Sequence, residues 1–109
     1  MLESTIQAQI VKRLGSSPLC RIWRHETGLA YWPDGTPVRI GLPGSGDLIG
    51  VLADGRFLSL EVKTPTGRQT QQQQKFQKMV ELFNGVYILA QSAEQAEELV
   101  RKALDKQAK

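Results

Sequence analysis

Three side chains with complementary chemistry lie near the middle of the chain: Asp47, Glu61 and Lys63. From Phe57 to Lys63, Leu58, Leu60 and Val62 alternate with Phe57, Ser59, Glu61 and Lys63. An extended strand therefore puts the carboxylate of Glu61 and the ammonium of Lys63 on one face. Charged groups at the end of an otherwise apolar strand are costly to bury unless they act together. Asp47 opens a second apolar run, Leu48 to Ala53, and Asp54-Gly55 between the runs is a strong two-residue hairpin signal. With Asp54-Gly55 as the whole loop, Ala53 faces Arg56 and Asp47 faces Val62. Asp47 then neighbours both Glu61 and Lys63, but strict pleating sends its side chain to the other face. A one-residue bulge, or loosening at Gly44-Ser45-Gly46, corrects the mismatch, so irregular backbone is expected there. Two carboxylates and a lysine converging in this way form a hard oxygen site for a divalent cation with a fixed positive charge beside it.

The run Gly44-Ser45-Gly46-Asp47-Leu48, followed by Glu61-Val62-Lys63, resembles the signature of the PD-(D/E)XK nuclease superfamily. The fuller set Glu3, Gly44, Asp47, Glu61, Lys63, Gly67 and Gln73 is similar to its VRR-NUC branch. That branch has an early Glu, Gly-x-x-Asp-Leu, Glu-Val-Lys-x-x-x-Gly and a later Gln on a helix. The resemblance spans nearly the whole chain. Asp…Glu-x-Lys alone recurs by chance in many strands; the ordered set with its glycines is far more specific. The resemblance implies an α/β fold, a mixed central β-sheet flanked by helices on both faces. It implies an Mg²⁺- or Mn²⁺-dependent DNA endonuclease that hydrolyses phosphodiester bonds in four-way (Holliday) junctions or other branched DNA, acting as a homodimer. Asp47, Glu61 and the Val62 carbonyl would hold the metal, with Glu3 as an additional carboxylate acting directly or through water. Lys63 would orient the attacking water and stabilise the transition state. Gln73 would reach the active site or a phosphate.

The elements that must position these groups follow from periodicity. Leu2, Ile6, Ile10, Val11 and Leu14 mark an amphipathic helix ending at Gly15, with Glu3 flanking its apolar stripe. A first-turn glutamate is also favoured by the helix dipole alone. Leu19 to Glu26 reads as a strand carrying Arg24 and His25 at its end. His25, the only histidine, excludes a histidine-rich metal site and is expected at the surface or against DNA, while Cys20 is expected in the core. The excursion from Gly28 to Gly46 turns at Pro33-Asp34-Gly35 and carries Tyr31, Trp32 and Arg39. Such a hairpin or loop suits nucleic acid, a dimer contact or a cover for the core edge.

After Lys63 a loop holds Arg68, placed to reach phosphate, and Thr70 starts a helix. Phe76, Met79, Val80 and Phe83 form its expected buried stripe, continued N-terminally by Gln73. Thr70-x-x-Gln73 is also a capping box, which accounts for Gln73 without chemistry. Lys75 and Lys78 point outward; Arg24, Arg39, Arg68 and Lys75 are the candidate nucleic-acid contacts. Asn84-Gly85 stops the helix, Val86 to Ala90 reads as an interior strand, and Ser92 caps a final helix whose last residues fray. The helix between the third and fourth sheet strands permits a crossover and a parallel neighbour.

The totals bound the rest. A chain of 109 residues forms one domain, 1–109. It lacks an apolar run long enough for a transmembrane helix and lacks the pattern of a secretory signal, so a soluble, intracellular (cytoplasmic) protein without a membrane partner is expected. One cysteine excludes an internal disulfide. The net charge is +3, and residues 1–80 hold 10 Lys/Arg against 6 Asp/Glu, which favours a polyanionic partner. Two rival readings stand beside the nuclease: a catalytically weak nucleic-acid-binding module on the same fold, and a structural ion-pair cluster.

Overall fold

The computed structural model describes residues 2–107. The elements run α1 (Glu3–Leu14), β1 (Cys20–Arg24), β2 (Gly28–Tyr31), β3 (Pro37–Ile40), β4 (Leu48–Leu52), β5 (Phe57–Val62), α2 (Gln71–Leu82), β6 (Val86–Ala90) and α3 (Ala93–Gln107). Residues 108 and 109, where the frayed end is expected, lie outside the described residues. Four strands form one sheet in the order β1-β4-β5-β6, and β2 and β3 form a separate two-stranded ribbon. β1, β4 and β5 are mutually antiparallel, whereas β6 runs parallel to β5 after the α2 crossover. The sheet is therefore mixed, and β6 lies at its edge, not in its interior.

Period-two alternation sorts the strands into two faces. Cys20, Ile22, Leu48, Leu52, Leu58, Leu60, Val62, Ile88 and Ala90 meet Ile6, Ile10 and Leu14 of α1 and Ala96 and Val100 of α3 in one continuous core. Each aliphatic side chain fully buried there is worth about 1.5–3 kcal/mol. Cys20 is part of this core, and burial pushes its thiol pKa up, which fits a packing role. α2 covers the opposite face only over β6, where Phe76 and Val80 pack on Tyr87 and the Phe76 and Tyr87 rings lie 6.4 Å apart; Trp23, Val51 and Phe57 on that face stay exposed. The apolar stripe expected on α2 is only half used: Met79 is 40% and Phe83 75% exposed. No described helix is long and apolar enough to cross a membrane.

The central hairpin departs from the two-residue turn. The register pairs Val51 with Phe57 and Leu48 with Leu60, and Leu52 N–H donates to Arg56 O at 2.9 Å. The loop is thus three residues long, Ala53-Asp54-Gly55, with Gly55 at φ +93°. A three-residue loop of this kind needs a positive φ at its last position, which glycine supplies without strain. The extra residue expected as a bulge near Gly44-Ser45-Gly46 sits in the turn instead.

The excursion does form a hairpin. Leu29 pairs with Arg39 and Tyr31 with Pro37. Its turn is tied by the Asp34 carboxylate, which accepts from Thr36 N–H at 2.9 Å. The ribbon packs chiefly on itself and leaves Leu29, Tyr31, Trp32 and Ile40 exposed, so it is an arm and not a cover for the core edge.

Candidate active site

Extending the β4–β5 register by one residue places Asp47 directly across from Glu61, on the same face of the sheet. The pleat problem disappears because the three-residue loop shifts the register by one. Asp47 is held by its own neighbours. Its Oδ2 accepts from Val62 N–H at 2.8 Å, and its carbonyl accepts from His25 N–H at 2.9 Å. Glu61, 3% exposed, accepts at Oε1 from Gln73 Nε2 at 2.8 Å, and Lys63 Nζ lies 3.7 Å from the same oxygen. Lys63 is itself buried, and its N–H is anchored to Ala90 O at 3.0 Å on β6.

Gln73 serves two roles at once. Its Oε1 accepts from Thr70 N–H at 2.8 Å while its own N–H donates to Thr70 Oγ1 at 3.1 Å, completing the capping box. The same amide spends its Nε2 on Glu61. The cap thereby fixes the rotamer that reaches the carboxylate, and the first turn of α2 becomes a wall of the site.

The glycines before Asp47 let the backbone thread between α2 and β5. Gly44 sits at φ +83°, and a Cβ there would collide with the Gln72 carbonyl of α2. A Cβ on Gly46 would meet Ser59 Oγ and Leu60 O, the groups to which the Gly46 backbone is already close-packed. Gly46 N–H donates to the buried Ser59 hydroxyl at 3.1 Å.

Glu61 Oε2 is buried and has no hydrogen-bond partner among the described residues. Burial first, and the Asp47 carboxylate second, push the Glu61 pKa up to about 8, against the opposing pull of Lys63. Two carboxylates this close need a shared proton or a cation between them. Asp47 Oδ1, Glu61 Oε2 and the Val62 carbonyl are the hard oxygens on offer, and Mg²⁺ or Mn²⁺ takes such ligands while keeping several waters. No three His, Cys, Asp or Glu side chains among the described residues lie close enough to share an ion. Glu3 is exposed at the start of α1, and its charge is the smallest of the contributions that raise the Glu61 pKa. The donor set therefore fits a divalent cation held by two carboxylates, a carbonyl and solvent.

The four candidate nucleic-acid contacts are all exposed but scattered: Arg24 ends β1, Arg39 is on the arm, Arg68 is in the loop before α2, and Lys75 is on α2. Two residues near the site were not singled out from sequence. Gln7, one turn after Glu3 on α1, accepts from Arg24 Nε at 3.0 Å; its i, i+4 relation to Glu3 was the available signal. Tyr87 is buried beneath α2, its hydroxyl has no hydrogen-bond partner among the described residues, and burial pushes its pKa up to about 12. Within an apolar run it carried no sequence signal. No protein-family model matches this chain, nor does any curated protein compared with it.

Proposed function

We propose that the protein is a divalent-metal-dependent DNA endonuclease of the VRR-NUC type, with a PD-(D/E)XK core, that hydrolyses phosphodiester bonds in branched DNA and works as a homodimer. The observation that best supports this reading is the convergence of Asp47, Lys63 and Gln73 on Glu61: Lys63 and Gln73 meet its Oε1, and its Oε2 is buried with no hydrogen-bond partner among the described residues. Asp47, Glu61 and the Val62 carbonyl would hold the cation, and Glu3 would act as an additional carboxylate directly or through water. A bound Mg²⁺ or Mn²⁺ supplies Lewis-acid polarisation of the scissile phosphate and activation of the attacking water. Lys63 adds a fixed positive charge where negative charge develops on the phosphate. Gln73 keeps Glu61 in the ligating rotamer, and Val62 N–H does the same for Asp47. Arg68 and Lys75 supply exposed positive charge for the DNA backbone.

Cleavage assays over single-stranded, duplex, flap and four-way DNA, with Mg²⁺ or Mn²⁺, test the reading. Asp47→Asn, Glu61→Gln and Lys63→Ala are each expected to lower the rate at least about 100-fold, the scale of losing a positioned electrostatic group. The two carboxylate variants also lose metal-dependent thermal stabilisation, and Lys63→Ala keeps it, because the ammonium is no ligand. Near-wild-type cleavage by any of the three removes that residue from the mechanism. Binding without cleavage by the wild-type protein on every substrate leaves a nucleic-acid-binding module on the same fold.

A further inference from the structure

A polar pocket of about 320 Å³ opens beside the cluster, and Asp47 belongs to both. Gln7, Arg24, His25, Glu26 and Ser45 line it with Asp47. It is built from three elements: the first turns of α1, the end of β1, and the glycine loop that leads into β4. The wall is tied to the metal ligand by the His25 N–H bond to the Asp47 carbonyl, so the two sites have a fixed separation.

Arg24 is the informative group. Arg13 and Arg56 each have a carboxylate partner, but no ion pair among the described residues involves Arg24. Its Nε donates to Gln7 Oε1 at 3.0 Å, and its two terminal nitrogens, which no hydrogen bond or ion pair among the described residues involves, remain as a fork. That fork matches two oxygens of a phosphate group. The pocket is mostly polar, which excludes an apolar ligand. Two carboxylates, Glu26 and Asp47, also line it and oppose an anion; Glu26 is exposed and its charge is screened by solvent, and Asp47 Oδ2 is engaged by Val62 N–H.

We propose that this pocket is a second phosphate subsite, taking the phosphate next to the scissile one on the same strand, with Arg24 as its ligand and Gln7 as the residue that orients Arg24. The inference rests on the nuclease reading for what occupies the neighbouring metal site. Binding energy at a non-reacting phosphate then places the scissile phosphate over Asp47 and Glu61. It makes a single phosphodiester a poor ligand and a short strand a good one.

The test uses the intact protein with Ca²⁺, and calorimetric titration of thymidine 5′-monophosphate, the 5′-phosphorylated dinucleotide and inorganic phosphate. The dinucleotide is expected to bind the wild type about tenfold or more tighter than the mononucleotide, the scale of one charge-assisted contact. Arg24→Ala and Gln7→Ala shrink that ratio toward one, Arg24→Lys restores part of it, and Glu26→Gln holds or raises it. Far-ultraviolet dichroism and melting curves keep loss of fold apart from loss of the contact. A ratio unchanged in Arg24→Ala overturns the proposal. So does inorganic phosphate showing the same dependence on Arg24 as the dinucleotide, which makes the pocket a free-anion site. Cleavage of branched DNA with no second-phosphate gain leaves the nuclease reading standing without the pocket. An Arg24-dependent gain without cleavage under any metal leaves the subsite standing and removes hydrolysis.

Discussion

Glu61 is buried at the end of an apolar strand with Oε2 unpartnered, facing a second carboxylate. In the unfolded chain its pKa lies near the ordinary 4.5, and in the folded, metal-free protein near 8. The folded state therefore binds the proton more tightly. That contribution to stability is fully present below about pH 4.5 and is lost as pH rises through about 8. The metal-free protein is expected to melt at progressively lower temperature across this window. Glu61→Gln removes the titrating group while its amide oxygen still accepts from Gln73. The variant should show a flatter pH dependence and a higher melting temperature than wild type at pH 8 in the presence of a chelator. Saturating Mg²⁺ or Mn²⁺ should reverse the order, because the cation stabilises only the state that binds it. Parallel melting curves against pH for wild type and variant would show that Glu61 carries no such strain. A residue that destabilises its own fold until a ligand arrives is a common cost of function.

At the scale of elements, the site depends on how closely the Gly44–Asp47 loop approaches the first turn of α2. Gly44→Ala combines a positive φ with a collision against the Gln72 carbonyl. It is expected to destabilise the fold by about 1–3 kcal/mol and, by pushing α2 away, to separate Gln73 from Glu61 and weaken metal binding. Gly35→Ala, at φ +90° with nothing near its Cβ, is the control: it adds strain to the arm and leaves metal binding intact. Denaturant midpoints and metal titrations of both variants decide between them, and equal metal affinity in the two would uncouple the loop from the site. The strands, the capping box and the parallel β6 were legible because alternation, Thr-x-x-Gln spacing and crossover rules are local. Which residue faces Asp47 was not, because one extra loop residue at Ala53 reverses every pairing. The excess apolar surface on α2 was hidden for a related reason. Helical periodicity marks Met79 and Phe83 as apolar, but only tertiary contact says whether the sheet reaches far enough to cover them.

For the whole molecule, that uncovered surface has a counterpart. Trp23, Val51 and Phe57 on the sheet, Met79 on α2 and Phe83 just after it remain exposed, as do Leu29, Tyr31, Trp32 and Ile40 on the arm. A two-stranded ribbon is marginally stable by itself in water, and exposed apolar patches of this kind mark interaction sites. One active site cuts one strand, so symmetric resolution of a four-way junction needs two, and a two-fold dimer supplies both from one short chain. We therefore expect a homodimer, with a mass near twice 12.1 kDa by light scattering at micromolar concentration. A stable interface needs about 800 Å² from each partner. Paired substitutions Tyr31→Ser and Trp32→Ser should then halve the mass while leaving metal stabilisation unchanged, since neither residue touches Asp47 or Glu61. If the dimer persists in that variant but DNA binds more weakly, the arm is a stacking surface for nucleic acid and the interface lies elsewhere. A wild-type mass near one chain, with four-way DNA still cut symmetrically, would mean that the second copy assembles only on the substrate.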